Sequence, residues 1–427
     1  MSFINIFYLK GRRFKKCWTW LLLFLSAIFI IHFISPLSYT NRCQTKQSII
    51  RDWSIITVDN ENEFQSNNFS LISDSFLASR RQFMKEEIRH VAFLKVHKTG
   101  SSTVTSIIQR FGWERRLNFI LPASSPNLIS QNESITTNNI LHIDKDETFD
   151  ILCSHVIYDK KAFQKYLPKD TVFIGIVRDP FDQFVSSVYY YKYRWNVPYL
   201  ARLPIRYPIK YLLENPSQYE PKILQSSFTK SRMSVDFGLP QELFHTTDKN
   251  KILPYLRKIH SEFKLVMIKE YFDESLILLR RILNWNMIDI LYIIKNTSKY
   301  VPLRGYRDRY LHKQHSFLDY CLYNFFVRIF WKRVRQQGED FHAEVSYFRQ
   351  LRSAVEDFCS EVMKKSALHA QVFEAKENEF HSYIVINKEY CILLSMDEVE
   401  FSNKLKWRQF PHLRPIGNQN KRPRKRW

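Results

Sequence analysis

The chain has 427 residues, 45% hydrophobic and 15% aromatic, with 64 Lys and Arg against 42 Asp and Glu and a formal charge of +22. Disordered and fibrous classes do not have this composition, and the length exceeds that of small disulfide scaffolds and suffices for one large buried core. The positive excess implies an acidic partner, either anionic lipid headgroups or a phosphorylated or sulfated small molecule. Nucleic acid is not expected as a partner, because no zinc-ligand spacing, recognition helix or aromatic RNA-binding motif occurs.

The first element in chain order is the apolar run Trp18–Ile34, interrupted only by Thr19, Ser26 and His32 and followed by Pro36. Its length predicts one membrane-spanning helix. Lys10, Arg12, Arg13, Lys15 and Lys16 precede it, which places residues 1–17 in the cytosol and everything after the helix on the luminal side. A cleaved signal peptide is the competing reading, disfavoured by the length of the run and the lack of a small-residue cleavage site. Residues 35–87 are rich in Ser and Asn without a sustained period and predict a luminal stem. Sequons at Asn68, Asn132 and Asn296 suit that lumen. Cys17 falls at the cytosolic membrane edge. The other five cysteines, Cys43, Cys153, Cys321, Cys359 and Cys391, are an odd luminal set. Cys43, in the stem, is the one most easily spared to bridge a homodimer.

A folded domain is predicted over 88–410, with a basic tail at 411–427. Val91–Val96, Phe149–Val156, Thr171–Val177 and Phe263–Ile268 read as buried strands, with helices after the first, third and fourth. That alternation predicts the α/β class, a mostly parallel sheet flanked by helices. Residues 316–366 carry a long amphipathic pattern and predict two helices packed beside the sheet.

Two segments bear the chemistry. In VAFLKVHKTGSSTVTSIIQRFG, residues 91–112, a strand runs into Lys98-Thr99-Gly100-Ser101-Ser102-Thr103 and then a helix. Gly100 lets the backbone approach an anion, the opening N–H groups of the helix and its dipole favour a phosphate, and Lys98 adds a point charge. With only 8 glycines in the chain, Gly100 is not filler. A Walker A loop needs a second glycine and a lysine after it, so nucleotide hydrolysis is disfavoured. In TVFIGIVRDPFDQFVSSVYYYKY, residues 171–193, a strand meets Arg178-Asp179-Pro180 and a helix that carries Ser186. Arg178 and Ser186 are spaced to share one phosphate beside the first loop. The alternative for Arg178 is a structural bridge to Asp179 or Asp182.

These paired segments resemble the sulfotransferases that use 3′-phosphoadenosine-5′-phosphosulfate (PAPS). The closest resemblance is to the Golgi galactose-3-O-sulfotransferases, galactosylceramide sulfotransferase among them. It is carried by FLKVHKTGSSTV at 93–104, VMIKEYFDESL at 266–276 and the Phe330-Trp331 region, and covers roughly residues 88–375. Asp236-Phe237-Gly238 departs from the family's usual Asp-Leu-Gly. The resemblance implies a P-loop-like fold in which Lys98, Thr99, Gly100, Ser101, Ser102 and Thr103 hold the 5′-phosphosulfate, while Arg178 and Ser186 hold the 3′-phosphate. PAPS is then the co-substrate, and the mechanism needs no metal. Lys98 stabilises charge on the departing phosphate. His155 matches the base of related carbohydrate sulfotransferases, with His97 as the alternative and His142 as a weaker candidate.

The implied acceptor is the 3-OH of galactose on a glycolipid or glycan, modified in the Golgi lumen by a single-pass type II enzyme. The alternatives are a glycosaminoglycan uronyl O-sulfotransferase and a non-catalytic, membrane-anchored polyanion-binding module. Tyr189–Trp195 is expected either to stack on a sugar or adenine or to pack as a helix end. Leu303–Tyr310 reads as a basic loop over the nucleotide.

Overall fold

The computed structural model describes residues 86–194, 197–295, 305–364 and 371–415. Trp18–Ile34, the stem up to residue 85, Asn68, Asn296, Cys17, Cys43, Trp195, Leu303, Arg304 and residues 416–427 lie outside the described residues. Among those described, no helix is long and apolar enough to cross a membrane.

Strand β1 (Val91–Phe93) leads through a loop into α1 (Ser101–Glu114). After β2 (Ile151–Leu152) come β3 (Val172–Val177), α2 (Pro180–Tyr191), α3 (Arg232–Asp236), α4 (Lys249–Glu262) and β4 (Leu265–Ile268). The four strands pair in parallel in the order β2-β1-β3-β4. Val91 lies opposite both Ile151 and Val172, and Ile174 opposite Leu265. Helices cover the sheet, so the strands are buried on both faces and read in sequence as unbroken apolar runs.

The observed strands begin and end inside the expected ones for a local reason. Leu94 still donates to the Ile174 carbonyl at 2.8 Å, but the next carbonyl, that of Lys95, accepts from the His155 ring instead of a ladder N–H. Likewise the chain beyond β2 pairs through His155 with Leu128 rather than with β1. Both strands therefore stop where their residues turn to building a site.

Beyond β4 run α5 (Phe272–Leu283), α6 (Tyr306–His315), α7 (Phe317–Arg335) and α8 (Asp340–Lys364). The last two are the pair expected over 316–366; α7 packs against β4 and α8 against α5. The expected basic loop at 303–310 is corrected, since Tyr306–Tyr310 forms the first half of α6. Arg309 fastens that helix to Asp179. An antiparallel hairpin, β5 (Phe373–Ala375) with β6 (Ile384–Ile386), leads to α9 (Lys388–Ser395) and α10 (Glu398–Gln409). Helix α10 lies along α1, where Gln109 donates to the Ser402 hydroxyl at 2.8 Å. A disulfide joins Cys359 of α8 to Cys391 of α9, and Cys153 and Cys321 are buried thiols.

Candidate active site

The strand order sends the chain from β1 outward to β2 and from β3 outward to β4, so the exits of the adjacent strands β1 and β3 diverge. Open α/β sheets bind ligands in the crevice at the carboxyl ends of such a pair. Both sequence motifs converge there. The loop after β1 has two left-handed residues, Lys98 at φ 59° and Gly100 at φ 79°. That conformation strains lysine and suits glycine. The Thr99 and Ser101 hydroxyls both donate to the Val96 carbonyl, at 3.0 and 2.7 Å, and pin the loop in this shape. What Thr99 and Ser101 offer an anion is therefore backbone N–H. Gly100 is the N-cap of the 14-residue helix α1, whose first N–H groups lack intrahelical acceptors and form its positive dipole end. Ser102 is exposed and Thr103 half-buried on that turn.

Arg178 follows β3 directly. Its Nη1 donates to the Lys98 carbonyl at 3.0 Å, which ties the two loops together. The alternative bridge to Asp179 or Asp182 is overturned, because Arg309 pairs with Asp179 at 2.9 Å and lies 3.7 Å from Asp182. Asp179 also caps α2 by accepting from the Asp182 N–H at 3.0 Å, with Pro180 in the first turn. Ser186 sits half-buried further along α2. One turn before it, Gln183 donates to the His97 carbonyl and to the Ser187 hydroxyl, both at 3.1 Å, and fastens α2 to the loop after β1.

The Lys98 ammonium lies 3.4 Å from the centroid of the Tyr190 ring. Arg194 lies 4.5 Å from that ring and donates to its hydroxyl at 2.9 Å. Burial, with Arg178, Arg194 and Lys95 adding repulsion, brings the Lys98 pKa down to about 8. The aromatic run divides its roles: Tyr190 faces Lys98, Tyr191 stacks on Phe228 with centroids 4.0 Å apart, and Tyr193 is exposed.

The two leading histidine candidates meet face to face. The His97 and His155 rings stack with centroids 3.9 Å apart and planes 20° from parallel. The partner of His155 Nδ1 is the Lys95 carbonyl at 2.8 Å. A carbonyl only accepts, so Nδ1 carries the proton and Nε2 keeps its lone pair. His97 Nδ1 faces the Asp236 carboxylate at 2.9 Å, which fixes the same tautomer. Burial lowers the pKa of His97 despite the pull of Asp236, and burial with His97 and Lys95 nearby lowers that of His155 further. His142 lies on an exposed loop, its Nε2 on the Thr137 carbonyl at 2.7 Å, and touches neither ring.

Residues behind the pair escaped the sequence reading. Asp236 is held by Arg232, whose Nη2 donates to it at 2.6 Å. Burial disfavours the Asp236 carboxylate, but Arg232 and His97 outweigh this and keep its pKa low. Lys95 forms a buried ion pair with Glu398 of α10. The deviant Asp236-Phe237-Gly238 segment was the one local signal for the first of these, and Glu398 had none. Among the described residues no cluster of three or more His, Cys, Asp or Glu is arranged to hold a metal ion.

A parallel sheet whose switch point carries a cationic backbone cradle, with oriented imidazoles beside it, is an arrangement that suits transfer of a group from an anionic donor. The chain belongs to the galactose-3-O-sulfotransferase family, whose profile matches residues 61–400. It is 26% identical over 350 residues to human galactose-3-O-sulfotransferase 2, covering 78% of this chain and 86% of that protein. Mouse galactosylceramide sulfotransferase is 28% identical over 275 residues, 64% of each chain. Mouse galactose-3-O-sulfotransferase 3 is 29% identical over 336 residues, 74% of this chain and 77% of the relative. The protein is thus a sulfotransferase by family.

Proposed function

We propose that this sulfotransferase moves a sulfuryl group from PAPS to the 3-OH of a galactose on a glycolipid or glycan, in the Golgi lumen, anchored as a type II protein by Trp18–Ile34. The observation that carries the reading is the meeting of the Lys98–Thr103 loop, Arg178 and the stacked imidazoles at one switch point of the sheet. The residues fit the donor: the open first turn of α1 and Lys98 suit the 5′-phosphosulfate, and Arg178 with Ser186 suits the 3′-phosphate. The donor supplies the sulfuryl group and a phosphate leaving group. Lys98 answers the charge that grows on the leaving oxygen as the sulfur–oxygen bond breaks. Nε2 of His155, the less buried of the two residues, accepts the proton of the sugar hydroxyl as its oxygen bonds to sulfur. His97, clamped by Asp236, lies behind His155 and sets its plane.

The test is incubation of the full-length protein with labelled PAPS and a panel of galactosides and glycosaminoglycans, with the product linkage mapped. Sulfate at galactose O3 is expected. Product on uronic acids alone transfers the reading to the glycosaminoglycan alternative, and heparin binding without product on any acceptor transfers it to the polyanion-binding module.

A further inference from the structure

Lys269 has no part in the reaction as described so far. It is the first residue past β4, so it leaves the sheet at the carboxyl edge shared by the loop after β1 and by Arg178 after β3. Its side chain lies across the phosphate loop. A Cβ placed on Gly100 would come within 2.6 Å of Lys269 Cδ, 2.7 Å of Cε and 3.7 Å of Nζ. The absence of a side chain at Gly100 therefore lets this lysine reach the N-terminal end of α1, where a cation is ordinarily disfavoured by the helix dipole.

The carboxylates near it are already engaged elsewhere. The ammonium lies 4.8 Å from the Phe272 ring. Of the two nearest carboxylates, Glu270 accepts from the Asp179 N–H at 2.9 Å and the Tyr323 hydroxyl at 3.1 Å, and Asp273 pairs with Arg349 at 2.9 Å. Burial and then Arg178 press the Lys269 pKa below the ordinary lysine range. A half-buried ammonium held at the N-terminal end of α1 is placed to join the helix N–H groups in binding one anion there.

We propose that Lys269 is a donor-binding residue, its ammonium reaching over Gly100 to the 5′-phosphate end of the nucleotide. This rests on the PAPS reading above and extends it to a third strand of the sheet, with Lys98, Arg178 and Lys269 supplying one cation each from β1, β3 and β4.

The experiment is calorimetry of the full-length protein with two probes, adenosine 3′,5′-bisphosphate and adenosine 3′-monophosphate. Lys269→Met keeps the methylene packing over Gly100 and removes the charge; Lys269→Gln is the second variant, and thermal unfolding verifies that each is folded. A charge-assisted hydrogen bond of about 1.5–3 kcal/mol predicts roughly ten- to hundredfold weaker binding of the bisphosphate. Affinity for the monophosphate should be unchanged. Equal bisphosphate affinity in wild type and variants overturns the assignment, as does an equal loss for both probes, because Lys269 then does not act on the 5′-phosphate. Wild-type protein that binds neither probe overturns the PAPS reading itself and the assignment with it.

Discussion

At the residue scale, the proposed reaction separates groups that act on the breaking bond from groups that hold the donor. Lys98 belongs to the first kind, and Lys98→Ala should cost on the order of 10²–10³ in turnover. Arg178 belongs to the second, so Arg178→Ala should weaken binding of the desulfated nucleotide in calorimetry. An unchanged dissociation constant would remove Arg178 from the donor site. For the imidazoles, burial lowers both pKa values from 6.5. A base works when neutral, so the lowered values keep it competent as pH falls, and turnover should hold down through about pH 6.5 with its acidic limb displaced below that value. Stability follows the same sign: the unfolded chain takes up protons first, so the contribution of the neutral pair is present above 6.5 and is lost as pH drops toward the folded values. His155→Ala should lose about 10²-fold in turnover with nucleotide affinity intact. If His97→Ala alone does so, the proton acceptor is His97 with Asp236 behind it.

At the element scale, the loops at the carboxyl edge of the sheet depend on the last α-helix among the described residues. Glu398 of α10 neutralises Lys95, whose carbonyl orients His155. Glu398→Ala leaves a buried ammonium unpaired and should destabilise the fold by about 3–5 kcal/mol. Replacing both partners, Lys95→Met with Glu398→Leu, should recover most of that loss in denaturant unfolding; a double variant no more stable than Glu398→Ala would assign the loss to cavity formation instead. This dependence marks what the sequence made legible. The four strands and the N-cap glycine were readable because apolar runs and a lone glycine before a helix are local signals. Glu398 lies 303 residues from Lys95 and Asp236 lies 139 from His97, and no local pattern announces contacts made at such separation. The Cys359–Cys391 pairing was hidden for the same reason, since an odd set of cysteines leaves the connectivity open. Thr99 and Ser101 were legible as residues of the phosphate loop, but their hydroxyls serve the loop's own turn.

At the scale of the whole molecule, the net charge of +22 and the cationic flank of Trp18–Ile34 bear on where this chemistry takes place. In the proposed topology the positive flank holds the N-terminus in the cytosol and delivers the folded domain to the lumen, where PAPS and glycan acceptors would have to meet it. Asn132 offers a marker for that side: it is exposed, its N–H turned back on the Ser130 hydroxyl at 3.3 Å, so its side chain is accessible to modification. In sealed microsomes, protease added from outside should spare nearly all of the chain, and detergent should expose it. Glycosidase should lower the apparent mass of the protected protein, and Asn132→Gln should remove one step of that shift. Digestion of the bulk of the chain in intact vesicles would reverse the orientation. The donor site would then face the cytosol, apart from the glycan acceptors assigned to it, and the galactose reading would lose its compartment even if Lys98 and Arg178 still bound the nucleotide.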